Sequence, residues 1–178
     1  MTRKLFQFSD ASLQIERANG NEYNFITFLA VIQKLQVGIL PITWQAALAP
    51  IGAGATSTVK EAAFDIETSL AFKCVSDKQK QNADEAAIIG AVISEIIFLC
   101  HPYIRNHPYI TELQGICWDI PSDNQVWPAL VLEKSQYGDL YNFIISGVGR
   151  ELSVTSRLKL CVDVGIAISD LHFCSKLP

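Results

Sequence analysis

The chain is short of charge: Asp, Glu, Lys and Arg make up 18% of its 178 residues, against roughly a quarter in an ordinary soluble domain. It has no block of one sign, and its net charge of -4 is spread along the sequence. The basic stripe that a nucleic-acid partner requires is therefore missing, and no such partner is expected. Long apolar runs are missing too. The best candidate for a membrane span, residues 86–100, falls short of the roughly 20 residues required and carries Glu95. At the N-terminus, Arg3 and Lys4 are followed by Gln7, Ser9 and Asp10, which interrupt the apolar stretch a signal peptide needs. The five cysteines, Cys74, Cys100, Cys117, Cys161 and Cys174, are odd in number and form no C-x-x-C pair. Four of them lie in apolar surroundings, as buried reduced thiols do, so no disulfide and a reducing, cytoplasmic setting are expected.

What is plentiful is apolar surface. Hydrophobic residues are 49% of the chain and mean hydropathy is +0.23. Without a membrane span, that excess points to a core with part of its cover elsewhere.

Residues 24–35 place Phe25, Phe28, Leu29, Ile32 and Leu35 at helical spacing, which predicts an amphipathic helix stopped near Gly38. Pro41 opens an extended stretch. Strands are expected at 48–51, 58–64, 69–75, 113–118 and 129–133, with turns at Asn19-Gly20-Asn21, Asp65-Ile66-Glu67-Thr68 and Pro121-Ser122-Asp123-Asn124. Residues 78–85 read as a solvated charged segment before a helix over 84–100. His101-Pro102-Tyr103-Ile104 and His107-Pro108-Tyr109-Ile110 nearly duplicate one another, and their prolines forbid that helix from continuing. Gly138-Asp139 opens a short helix to Ile145, with Asp139 as its cap. A helix over 155–173 is apolar on most sides, which expects burial on most sides.

Three features in this order carry chemistry. Ile51-Gly52-Ala53-Gly54 leads through Ser57 into Thr58-Val59, a glycine turn between two strands. A dinucleotide fingerprint needs a helix behind its glycines, and a P-loop needs Gly-Lys-Ser/Thr; neither is present. A glycine flap between antiparallel strands can instead fold over phosphates and offer backbone N–H donors. Lys73 then interrupts the apolar strand Leu70-Ala71-Phe72-Lys73-Cys74-Val75, as a lysine lining a cleft does. Glu95 is the one charge in the apolar stretch 86–100, and a carboxylate buried there needs a cation, for which Lys73 is the natural partner. Glu85, near the start of the same helix, is the rival, but the helix dipole alone accounts for an acid at that position. Farther on, Leu132 and the backbone of Glu133 and Ser135 would border a nucleobase, with Asp139 at the mouth near a ribose. His101 and His107 raise a metal site, but no cysteine or carboxylate stands at ligand spacing, and no metal ligand is assigned.

Taken together, residues 48–172 resemble a eukaryotic protein kinase domain. Ile51, Gly52, Ala53, Gly54 and Val59 are similar to its glycine-rich loop, with Ser57 where a third glycine is usual. Ala71-Phe72-Lys73 resembles the third-strand lysine motif, and Glu95 the glutamate of its αC helix. His107-Pro108-Tyr109-Ile110 is similar to the segment leading into the fourth strand, Leu132-Glu133 through Gly138-Asp139-Leu140 to the hinge, and 167–172 to the end of αE. Leu40-Pro41-Ile42-Thr43-Trp44 with the helix before it is similar to kinase-like proteins of filamentous fungi.

The resemblance implies an α+β fold: an extension over 1–44, a five-stranded antiparallel lobe with one packed helix over 45–134, and the first helices of a second lobe over 135–178. It further implies ATP as ligand, with Lys73 and Glu95 in catalytic roles, and a protein substrate or regulatory protein partner. Mg²⁺ is expected only in a complete parent domain, because the catalytic loop and the Asp-Phe-Gly motif would follow Pro178. On that reading this chain by itself is inactive, either an incomplete fragment or a non-catalytic kinase-like module. Its last helix, left uncovered, would promote self-association.

Overall fold

A computed structural model describes residues 23–44, 50–63, 69–82, 84–120 and 125–174. The turns expected at 19–21, 65–68 and 121–124 lie outside them.

Helix α1 (Phe25–Lys34) begins where Asn24 Oδ1 accepts the Thr27 N–H at 2.9 Å, a side-chain cap. It ends at Lys34, four residues before Gly38. Gln36 takes the left-handed conformation (φ 56°), and the N–H of Val37 returns to the Ile32 carbonyl at 2.9 Å. This closing arrangement usually employs glycine. Gly38 instead comes just before the next element, its carbonyl accepting the N–H of Ile116 at 3.0 Å.

Six strands form one sheet: β1 (Ile39–Trp44), β2 (Pro50–Ala53), β3 (Ser57–Ala63), β4 (Ser69–Val75), β5 (Leu113–Asp119) and β6 (Trp127–Glu133), in the order β1-β5-β6-β4-β3-β2. The architecture is α+β as expected, but the five-stranded antiparallel sheet needs correction. β1, from the stretch assigned to the extension, adds a sixth strand and pairs with β5 in parallel; the other pairings are antiparallel. Close approach at this seam needs glycine, since a Cβ on Gly115 would lie 2.8 Å from the Gly38 carbonyl oxygen.

The expected solvated segment is also partly a helix, α2 (Asp77–Asn82). The Lys80 ammonium turns inward and reaches Asp119 Oδ2 at 2.8 Å, with both side chains less than a tenth exposed. Two charges so placed persist only as a pair, and this pair ties α2 to the end of β5.

Helix α3 (Glu85–Leu99) lies against one face of the sheet. Ile89, Ile93 and Ile96 of α3 meet Phe28, Val31 and Ile32 of α1 over Ile116 and Leu130. The rings of Phe25 and Phe28 approach Trp118 at 5.4 and 5.9 Å. Gly90 of α3 leaves room for Tyr23, whose ring would stand 2.6 Å from a Cβ there. The opposite face carries a second cluster, Phe72, Cys74, Cys117, Ala129 and Val131. Because β6 is the inner strand between these clusters, its run from Trp127 to Val131 is buried throughout.

Three helices follow: α4 (Leu140–Ile145), α5 (Gly147–Arg150) and α6 (Val154–Cys174). The loop after α3 holds α6: His107 Nε2 lies 3.0 Å from Asp170 Oδ2, and the Tyr109 hydroxyl bonds Asp163, which raises the tyrosine's pKa. Along α6 only Ala167 and Cys174 are buried, and Val154, Leu158 and Val162 are more than half exposed. None of the described helices is long and apolar enough to cross a membrane.

The shared core makes a quantitative prediction. Phe28→Ala, which empties a fully buried position, should lower unfolding free energy by about 3–5 kcal/mol. Ile26→Ala, on the exposed side of α1, should change it by less than about 0.5 kcal/mol. Urea denaturation of the two variants checks this, and equal effects would mean that α1 does not share the core.

Candidate functional site

Alternation along β4 builds the site. Phe72 and Cys74 point into the second cluster, so Ala71 and Lys73 face the side that α3 covers. There Lys73 Nζ lies 2.6 Å from Glu95 Oε1, with the two side chains 30% and 32% exposed. Glu85 stands exposed in the first turn of α3, where an acidic side chain complements the helix dipole. Of the two carboxylates weighed from the sequence, the structure brings Glu95 to the lysine.

The glycine flap is the β2–β3 hairpin. Gly52 pairs with Val59 and Ala53 with Thr58, and the Gly54 N–H closes the turn on the Ser57 carbonyl at 2.8 Å. The N–H of Ser76 bonds the Thr56 carbonyl at 3.1 Å, anchoring the hairpin tip to the end of β4. Ile51, Gly52, Ala53 and Gly54 are exposed, whereas Val59 is half-buried opposite Lys73. Ala71, 7% exposed, pairs with Leu132 where β4 meets β6.

The remaining residues stand apart from the charge pair. The Glu133 N–H is taken by the Glu112 carbonyl at 3.1 Å, and the Ser135 carbonyl accepts the Gly138 N–H at 3.3 Å. Asp139 caps α4, with Oδ1 and Oδ2 accepting the backbone and side-chain N–H groups of Asn142 at 2.7 and 2.9 Å. Neighbouring Lys134 reaches Glu61 across the sheet and ties the end of β6 to β3. That pair went unread because both residues look like ordinary surface charges in the sequence.

A cavity of about 270 Å³ opens at the charge pair, between α3, the hairpin tip and the sheet. Thr56 and Ser57 border it on one side, Val75, Pro128 and Leu130 on another, and Ala87, Ile88, Ala91 and Val92 line it from α3. It exists because Ala87 and Ala91, one helical turn apart, present only methyl groups toward it. That small-residue spacing was the available signal, and it was masked by the general apolarity of α3.

None of the buried thiols is poised to react. Burial, reinforced by Asp119, pushes Cys74 up to about 12 and Cys117 up to about 11. The two histidines of the duplicated motif repeat one local turn. His101 Nδ1 accepts the Tyr103 N–H at 3.4 Å and His107 Nδ1 accepts the Tyr109 N–H at 3.2 Å, which turns those ring nitrogens away from a ligand role. Among the described residues, no group of three or more His, Cys, Asp or Glu is placed to hold a metal.

No protein-family model matches the chain, and no curated protein matches it in sequence.

At pH 8, iodoacetamide should label exposed Cys161 and leave Cys74 and Cys117 unmodified until denaturant is added, as mass spectrometry of the digested protein would show. The pH sign follows from the raised thiols: the folded state holds their protons more tightly than the unfolded state. Their contribution to stability is complete below about pH 9 and fades as pH rises toward about 12. Rapid labelling of native Cys74 at pH 8 would contradict the burial assigned to it.

Proposed function

We propose that this chain carries the nucleotide-holding part of a protein-kinase-like domain. The single observation that carries the proposal is the Lys73–Glu95 pair, joining the third antiparallel strand from the glycine hairpin to the helix packed beneath it. In this reading ATP lies against the sheet with its base near Ala71 and Leu132. Its phosphates lie under the hairpin of Ile51, Gly52, Ala53, Gly54 and Val59, within reach of the Lys73 ammonium. Glu95 positions that ammonium and keeps it from swinging into solvent. The carbonyl of Glu133 and the N–H of Ser135 border the base, and Asp139 reaches a ribose hydroxyl only by giving up part of its cap on Asn142.

Transfer of the terminal phosphoryl group requires a base for the hydroxyl and carboxylates for Mg²⁺. For these residues we infer binding of ATP; Mg²⁺ enters where a kinase-like domain supplies those groups. A protein substrate or a regulatory protein is the partner in that setting, and the cytoplasm its location.

A second reading, a non-catalytic binding module, is favoured by the last helices. Leu158 and Val162 of α6 are 62% and 58% exposed, and Tyr141 of α4 is 72% exposed. An apolar groove of about 190 Å³ between α4 and α6, lined by Leu140, Ile144, Leu160 and Val164, adds to that surface. Exposed apolar area of this kind recruits partners or drives association.

Two measurements follow. ATP at ten times its dissociation constant should stabilise the protein by about 1.4 kcal/mol, a rise in Tm of roughly 3–5 °C for a chain of this size. Lys73→Met should abolish the rise; an unchanged rise in that variant would displace the lysine from the site. In light scattering, the whole chain should self-associate through α6, and the chain ended after Ser146 should be closer to monomeric. A monodisperse monomer for the whole chain would show that α6 does not drive association.

A further inference from the structure

We infer that the cavity between α3 and the sheet is a binding site in its own right, for a small uncharged ligand with an apolar body and a primary amide. It shares Lys73 and Glu95 with the proposed nucleotide site but does not depend on that reading, because its remaining walls are different residues.

Size is the first consideration. A cavity of about 270 Å³ is at the lower end of the range for small-molecule pockets. Ala71 and Leu132, which would border a base, and Val59 of the hairpin do not line this cavity. Its body lies instead among Ala87, Ala91, Val92, Val75, Pro128 and Leu130, which favour a ring or a branched aliphatic group.

The polar end selects the head group. Lys73 carries three N–H donors, and its ammonium meets Glu95 through Oε1 alone. Among the described residues, Glu95 Oε2 is left as an acceptor and two ammonium N–H groups as donors. A carboxylate ligand would gain from Lys73 but be repelled by Glu95, and an ammonium ligand would meet the reverse. A primary amide offers both complements at once: its carbonyl accepts from Lys73 and its N–H donates to Glu95. It satisfies the pair without adding net charge beside walls that are mostly apolar.

Benzamide, one phenyl ring with one primary amide, is the probe. Titrated into ¹⁵N-labelled whole chain, it should bind with a millimolar dissociation constant and shift the amides of Lys73, Ala87 and Ala91. Ala91→Phe and, independently, Ala87→Phe should each weaken binding about tenfold or more, the effect of losing ~1.4 kcal/mol, while the ATP-induced rise in Tm stays as in the unaltered protein. Benzoate should bind at least about tenfold more weakly than benzamide, since one charge of the pair opposes it. Equal benzamide affinity in both folded phenylalanine variants, or benzoate binding as tightly as benzamide, would overturn the inference. Benzamide binding that is lost with the phenylalanine substitutions in a protein that does not respond to ATP would uphold this site and dismiss the nucleotide reading.

Discussion

The ion pair between Lys73 and Glu95 is the contact on which the functional account depends. A partly buried ammonium 2.6 Å from a carboxylate requires a strand and a helix to be held in register with each other. The strand supplies the lysine because its alternate residues, Phe72 and Cys74, are committed to the opposite cluster. The helix supplies the glutamate because Ile89, Ile93 and Ile96 commit its adjacent face to α1 and the sheet. At about 30% exposure the pair adds little to stability by itself. Its value is positional: it fixes a cation beside the hairpin tip and leaves donors and an acceptor facing one chamber.

The rest of the molecule shows how the chain treats charges it takes from water. Lys80 and Asp119 form a more deeply buried pair that holds α2 to the end of β5, and their field reaches the second cluster, where Asp119 helps keep Cys74 and Cys117 protonated. Polar contacts also hold α6. Its buried side is narrow, and Asp163 and Asp170 anchor it to Tyr109 and His107 of the loop after α3. Arg157 adds bonds to the carbonyls of Gly149, Arg150 and Leu152, and the Phe173 ring meets Tyr103, while Val154, Leu158 and Val162 stay exposed.

Much of this was legible in the sequence, for identifiable reasons. α1 carries clear helical spacing, α3 is a long apolar stretch ended by prolines, α6 is apolar on most sides, and five of the strands lie within a few residues of the expected ranges. Glu95 could be paired with Lys73 because it is the lone charge in a long apolar stretch, where only a cation makes sense of it. The parallel pairing of β1 with β5 was not legible, since two strands more than seventy residues apart leave no local trace of their partnership. Gln36 rather than Gly38 closes α1 because a Schellman arrangement can hold a non-glycine residue when its hydrogen bonds are in place. The inward turn of Lys80 was hidden as well, because its cause, Asp119, lies on a distant strand. The cavity was least visible of all. It arises from what Ala87 and Ala91 lack, and an apolar helix does not advertise which of its small residues will face a void.

The most direct test of the central claim is a double-mutant cycle on the ion pair, using Lys73→Met, Glu95→Gln and the two combined, with the ATP-induced change in Tm as the readout. If the lysine binds only as the glutamate positions it, each single substitution should remove about as much ATP stabilisation as the double, with a coupling energy on the order of 1 kcal/mol. Effects that simply add, or a Glu95→Gln protein that responds to ATP like the unaltered chain, would contradict the claim that the pair acts as one unit.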